Sequence, residues 1–439
     1  MQRRQLLQLM GLGSLSTLCP TAWPAILAGN ANFDRLWLVV MASNGWDPVS
    51  FCNPYSSDFV MTDAKGVNTS RGKMSSYSPS FIKKLGGITY APGITETADP
   101  AYGRFVEKYY QSLLVINGID MGTNGHDEGK QKSTSGKQGG QYPAFAAYAA
   151  AAAVGDSGIP MPFLSYDNNG FDDSRVYNNT GNLISRVPLE GVQYVLELSN
   201  TRQQLGNKLV VSDAIAAQLE QTQLARLQQL QADSTLPRQQ QELQAFYDAQ
   251  LNRDQLKNLK AKLPTTYNSN GTLARVQDIF ASMAAGLTVS AQLSIGGGFD
   301  THSNHDVRQG AAINDFFNKM DFLLQEAERQ GLRDRLNILM VSDFGRTPFY
   351  NTDNGKDHWS TGSMLLMGPD FTGNRMIQAS DTLVRPQKIN LETLLPDASG
   401  KTLTVEMVQR SLRNLTGINN EVEQKFPLSA QAVPALFTG

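Results

Sequence analysis

The chain has 439 residues, enough to bury a large core and too many for one minimal domain. Its formal net charge is -2, with acidic and basic side chains intermixed, which excludes the basic face of a nucleic-acid binder. Beyond the first thirty or so positions nothing is apolar enough to cross a bilayer.

Residues 1–31 read as an export signal. Arg3 and Arg4 precede Leu6, Leu7, Leu9 and Met10, and a weakly apolar stretch broken by Gly11, Gly13 and Pro20 ends in small residues near Ala28. The arginine pair is similar to a twin-arginine signal, an address read by a receptor, and implies a periplasmic or secreted protein. Leu18 before Cys19 is too bulky for a usual lipid-attachment site. Removal of the signal leaves Cys52 as the only cysteine, so no intrachain disulfide can form.

The mature chain, 32–439, alternates apolar runs with polar, glycine-punctuated loops, the pattern of an α/β domain. Leu36 to Ala42 is the first predicted strand, and Asp47 follows in the turn SNGWDP. A predicted strand from Ser112 to Ile119 leads into a long polar loop, DMGTNGHDEGKQKSTSGKQGGQYP, and then into an Ala-rich helix opened by Pro143. Backbone amides of that loop, with Lys130, Lys132 and Lys137, would favour an anion. Met161 to Tyr166 is a further candidate strand. From about 190 to 264 the chain turns rich in Gln and Leu, with Ile215, Leu219, Leu227 and Leu230 on one helical face and a break near Pro237. This predicts an inserted helical hairpin, a solvated cap or else a surface for a protein partner.

A helix through Val276 and Leu287, a strand from Val289 to Ile295 and the loop GGGFDTHSNHD follow. The next helix carries Ile313, Phe316, Phe317, Met320 and Leu324. Leu336 to Val341 then forms a short apolar run expected of a strand covered on both faces, with Asp343 at its carboxyl end. Ligands of open α/β sheets bind beyond the carboxyl ends of strands, which places Asp343, Arg346, Asp357 and His358 well for chemistry. Thr361 to Met367 is the last predicted buried strand, and Val405 to Leu415 the last predicted helix.

The chain has only four histidines, His126, His302, His305 and His358, and each lies in a polar, Gly-flanked stretch. Imidazoles and carboxylates together suit Zn or Mn, and carboxylates with water suit Mg.

The ordered set of an early Asp in a glycine turn, TNGHDEG, GFDTHSN, SDFGRTP and GKDHW closely resembles the domain of unknown function 1501 family, related to the alkaline phosphatase and sulfatase superfamily. The resemblance spans most of the mature chain. It implies a mostly parallel sheet sandwiched by helices, an alkaline phosphatase-like fold, with a cap insertion. It also implies one or two divalent metals (Zn, Mn or Mg) and cleavage of a small anionic phosphate or sulfate ester. Carried over, Asp47, Asp300 with His302 or His305, Asp343, and His358 with its neighbour Asp357 are metal ligands. His126 is a further ligand or a proton donor, and Arg346 an anion clamp or an internal salt bridge.

Two departures qualify the likeness. Relatives often carry Asp-His where this chain has Asp343 and Phe344, and a hydroxyl where it has Gly125. Thr123 and Ser133 are the nearby substitutes for a nucleophile, and a water or hydroxyl activated by the metal is the alternative. The expectation is an exported metal-dependent ester hydrolase; the competing one is a noncatalytic secreted binding or assembly protein on a degenerate hydrolase scaffold.

Overall fold

A computed structural model of the protein describes residues 34–59, 73–139, 142–154, 161–166, 186–188, 213–234, 236, 258–259, 261–417 and 420–438. The strands are β1 (Leu36–Ala42), β2 (Lys83–Leu85), β3 (Ile88–Tyr90), β4 (Leu113–Asp120), β5 (Phe163–Tyr166), β6 (Arg186–Pro188), β7 (Ser290–Gly296), β8 (Leu336–Ser342), β9 (Gly345–Arg346), β10 (His358–Trp359), β11 (Thr361–Met367), β12 (Arg375–Gln378), β13 (Lys388–Ile389) and β14 (Lys401–Thr402). The helices are α1 (Ala101–Tyr109), α2 (His126–Ser135), α3 (Phe145–Val154), α4 (Asp213–Asp233), α5 (Gly271–Ala284), α6 (His305–Arg329), α7 (Val405–Leu415) and α8 (Asn420–Lys425).

β1 is buried along its whole length because it serves two cores at once. Leu36, Leu38 and Val40 point into one core, with residues of α1, α5 and α6 such as Phe105, Ile279 and Phe316. Trp37, Val39 and Met41 point into the other, with Phe145 and Tyr148 of α3 and Val408 and Leu412 of α7. An unbroken apolar run is the sequence consequence of such two-sided burial. The sheet has eight strands in the order β12-β4-β11-β8-β1-β7-β5-β6. All its pairings are parallel except those of β11, which runs antiparallel to both β4 and β8. The fold is therefore α/β, a mostly parallel sheet sandwiched by helices, as expected.

β11 decides where its preceding loop goes. Since it alone runs against the other strands, its first residue, not its last, lies at the edge where β1, β4, β7 and β8 end. The loops after those four strands and the loop before β11 consequently share one edge of the sheet.

One segment departs from expectation. The polar stretch around His126, predicted as loop, contains α2. Its ten residues carry little apolar surface, but its ends are well made. Asp127 and Glu128 lie in the first turn and Lys132 in the last, matching the helix dipole, and Gly136 closes the helix in the left-handed region at φ 85°. α2 is tied to α7 by Gln409 Nε2, which donates to the Ser133 carbonyl, and by Arg413 Nη2, which donates to that of Ser135.

The expected export signal, and most of the hairpin expected between 190 and 264, lie outside the described residues. Within that span α4 is described, and Leu259 is buried in the core shared with α5 and α6. No described helix is long and apolar enough to cross a membrane.

Candidate metal centre

Five segments at the strand-end edge supply the site. After β1 the chain turns through Asn44 and Gly45, both at positive φ (86° and 75°), and delivers the Asn44 backbone N–H to the Asp343 carboxylate at 3.1 Å. After β4 comes the first residue of α2, His126. The loop after β7 brings Asp300 and His302, and β8 ends in Asp343. β9 pairs antiparallel with β10, Arg346 opposite His358, so backbone hydrogen bonding fixes the last histidine just ahead of β11.

Three imidazoles converge on one carboxylate oxygen. Nε2 of His302, His358 and His126 lie 3.0, 3.2 and 3.6 Å from Asp300 Oδ1. The donor atoms of His126, Asp300 and His358 all lie within 4.8 Å of one another, the one described group of this kind. His302 adds a fourth donor, its Nε2 3.1 Å from that of His358. For comparison, tetrahedral ligands about 2.1 Å from a Zn ion are roughly 3.4 Å apart. The side chains of His126 and His358 are 24% and 25% exposed, and those of His302 and Asp300 47% and 42%, so the group is walled on one side and open on the other.

The opposite face of each ring decides its tautomer. His126 Nδ1 meets the buried Asp343 carboxylate at 2.8 Å, His302 Nδ1 meets Asp357 at 2.7 Å, and His358 Nδ1 meets the Asn124 carbonyl at 2.7 Å. An ionised carboxylate and a carbonyl can only accept, so each Nδ1 carries the hydrogen and donates it. A neutral ring held in this way aims a bare Nε2 lone pair at its neighbours and at an anion. That arrangement repels itself unless a proton or a cation lies between. His126 Nε2 is buried and has no hydrogen-bond partner, which leaves the repulsion unrelieved there. Imidazoles held from behind by carboxylates or carbonyls, with the other nitrogen converging, have the usual construction of a metal site, and the residues fit a divalent ion.

Phe344 is fully buried and packs against the rings of His126 and His358, with centroids 4.8 and 4.6 Å away. Where relatives were expected to carry a ligand, this chain thus has an apolar wall packed against two imidazoles. Partial burial pushes the Asp300 carboxyl up, but the hydrogen bond and positive charge of Arg346 outweigh this and hold it at about 2.

The remaining expected site residues divide differently. Asp343 and Asp357 stand behind histidines. Arg346 is fully buried, and its guanidinium donates to Asp300 Oδ1 at 2.8 Å and to the carbonyls of Asn44, Gly45 and Lys356. Of the two roles open to it, the internal salt bridge is the one seen. Asp47 and His305 belong to a separate buried group. His305 Nε2 lies 3.0 Å from Asp47 Oδ2, and Lys356 Nζ donates to the same oxygen at 2.7 Å. Thr301 Oγ1 is 2.7 Å from His305 Nδ1. Burial pushes the His305 pKa down against the pull of Asp47.

The candidate nucleophiles are engaged elsewhere. Ser133 is buried with its hydroxyl on the Lys130 carbonyl of its own helix, so it offers no oxygen to a substrate. Thr123 Oγ1 accepts from the Gly125 N–H and donates to Glu128, within the turn that leads into α2. Lys132 and Lys137, expected to attract an anion, are bound to the Gly122 carbonyl and to Glu406. Sequence reasoning missed Lys356, Asn124 and Asn44. Lys356 lies inside GKDHW beside two residues singled out, but its partner Asp47 is 309 positions away; Asn124 and Asn44 act through their backbones, and such roles leave no side-chain signature.

The family model described as protein of unknown function (DUF1501) matches residues 101–389. No curated protein matches the sequence. Among solved structures, the chain is similar to Ps i-CgsB at 8% identity and a TM-score of 0.38, covering 92% of this chain and 76% of that one. It is also similar to the phosphonate monoester hydrolase SpPMH from Silicibacter pomeroyi, at 9% identity and a TM-score of 0.34, covering 92% and 76%. The lipoteichoic acid synthase LtaP from Listeria monocytogenes gives 8% identity and 0.36, covering 92% and 75%. The fold assignment rests on the strand order above, not on these low scores.

Proposed function

The chain belongs to the DUF1501 family, and from the site just described we propose that it is an exported, metal-dependent hydrolase of a small phosphate or sulfate ester. The observation that supports this reading is the convergence of three bare Nε2 atoms on Asp300. Three imidazoles and one carboxylate suit Zn or Mn better than Mg. A divalent ion bound there would polarise an ester oxygen and lower the pKa of an attacking water.

The chain's own residues do the rest. In this reading His126, His358, His302 and Asp300 hold the ion, so His126 is a ligand and not a proton donor. Asp343, Asp357 and the Asn124 carbonyl fix the three tautomers. Phe344 and the buried side of the cluster keep water from behind the rings, and the exposed side of Asp300 and His302 faces the substrate. The N-terminus of α2 begins at His126 and favours negative charge at that mouth. With Ser133 buried and the Thr123 hydroxyl bonded to Glu128, water is the nucleophile in this reading. Export follows from Arg3, Arg4 and the apolar stretch behind them.

The test is metal content and turnover together. Purified protein should carry Zn or Mn, His358→Ala and Asp300→Asn should lose it, and a panel of phosphate and sulfate esters should be hydrolysed only by the loaded protein. Unchanged metal content in both variants would falsify the site. The engagement of the Thr123 and Ser133 hydroxyls favours a second reading, a binding protein that keeps the ion; it predicts bound metal with no turnover on any ester.

A further inference from the structure

Asp47 stands at the carboxyl end of β1, where a metal ligand was expected, yet both of its oxygens already have partners. Oδ1 accepts the Val49 N–H at 3.1 Å. Oδ2 accepts the Ser50 hydroxyl at 2.7 Å and Lys356 Nζ at 2.7 Å, and meets His305 Nε2 at 3.0 Å. Lys356 is itself fully buried, and its Nζ also donates to the Met74 carbonyl at 2.7 Å. Its backbone is clamped at both ends, its N–H on the Thr301 carbonyl and its C=O on Arg346. A buried ammonium this well anchored fills the space and supplies the charge that a metal ion would supply.

Arg346 does the same one step closer to the cluster. Its guanidinium touches Asp300 and lies within the field of Asp47 and Asp343. Among the described residues, the carboxylates in direct contact with an imidazole are Asp47, Asp300, Asp343 and Asp357. The fixed cations in contact with those carboxylates are Lys356 and Arg346.

We infer that the centre is mononuclear: one divalent cation binds at His126, Asp300, His302 and His358, and Lys356, seated on Asp47, is a built-in cation in place of a second. This rests on the reading that the Asp300 cluster takes a divalent ion. Lys356 stands in for that second ion on the Asp47 carboxylate, and Asp47 is not a ligand. The three consecutive side chains of the GKDHW stretch thus divide the work: Lys356 inward to Asp47, Asp357 behind His302, and His358 to the ion.

The experiment counts ions on the full chain. Protein saturated with Zn, then separately with Mn, is desalted and its metal measured by elemental analysis, and Zn affinity is measured by chelator competition. One ion per chain is expected. The double variant Asp47→Asn with Lys356→Met removes both buried charges together, so neither is orphaned, and it should still bind one ion with affinity within about threefold of the parent. Two ions per chain in the parent would overturn the mononuclear assignment while leaving the Asp300 site standing. Loss of the ion from a folded double variant would make Asp47 a ligand and overturn the role given to Lys356. No ion in the parent would instead remove the reading on which this one depends.

Discussion

Gly129 lies one turn beyond His126 and carries no chemistry, yet replacing it should disturb the centre. A Cβ built there would stand 2.5 Å from the backbone oxygen of Asp343, 2.9 Å from its carbonyl carbon and 3.0 Å from its Cβ. An ordinary carbon-oxygen contact is about 3.3 Å, so α2 and the end of β8 must separate by about 0.8 Å. Taken along the His126–Asp343 hydrogen bond of 2.8 Å, that shift stretches it to about 3.6 Å, beyond hydrogen-bonding range. Two effects oppose each other in Gly129→Ala. Helix propensity favours Ala by up to about 1 kcal/mol, whereas overpacking a tight contact costs about 1–3 kcal/mol. Packing should win, with a net loss of up to about 2 kcal/mol in urea unfolding under chelator. Because a lost hydrogen bond behind a ligand typically weakens metal binding by about 10- to 100-fold, Zn affinity should fall by at least about tenfold. A variant more stable than the parent, with undiminished Zn affinity, would refute the close approach and the role given to Asp343.

Asp343→Asn should give a similar loss of affinity, about 10- to 100-fold, while the protein stays folded, because Asn is the same size but offers the His126 Nδ1–H an uncharged, weaker acceptor; unaltered affinity would show that the carboxylate does not hold the ring. Thr123→Ala should cost about 1 kcal/mol by removing the hydrogen bonds to Gly125 and Glu128 in the turn before α2, and Ser133→Ala should leave any turnover intact; loss of turnover in a folded Ser133→Ala protein would restore that hydroxyl as a nucleophile. Acid should destabilise the chelated protein in two stages. His305 has its pKa lowered by burial, so its contribution is complete above the unfolded value of about 6.5 and drains away as pH falls toward the folded value. Asp300, at about 2 when folded, contributes above the unfolded carboxylate value and loses that contribution as pH falls to about 2. Urea midpoints at stepped pH will show this, and His305→Gln should flatten the first stage; an unchanged slope would mean His305 does not titrate with unfolding.

The strands were legible because two-sided burial demands continuous apolar runs, and β1, β8 and β11 begin or end within a residue of where Leu36 to Ala42, Leu336 to Val341 and Thr361 to Met367 place them. The histidines were legible because they are few and all sit in glycine-punctuated loops. α2 was not legible, since a helix with little apolar surface is held by its end residues and by a backbone contact at Gly129 that no periodicity records.

What composition and pattern alone determined was the class of fold and the pool of donors. They could not sort that pool, because a carboxylate that binds an ion, one that steadies an imidazole and one that neutralises an ammonium are the same residue in sequence. Only the tertiary structure separated Asp300 from Asp343 and Asp357, and set Asp47 against Lys356. The physical reason is distance: hydrogen bonds and charges act over a few ångströms, and which groups come that close is fixed by strand order and by the reversed direction of β11.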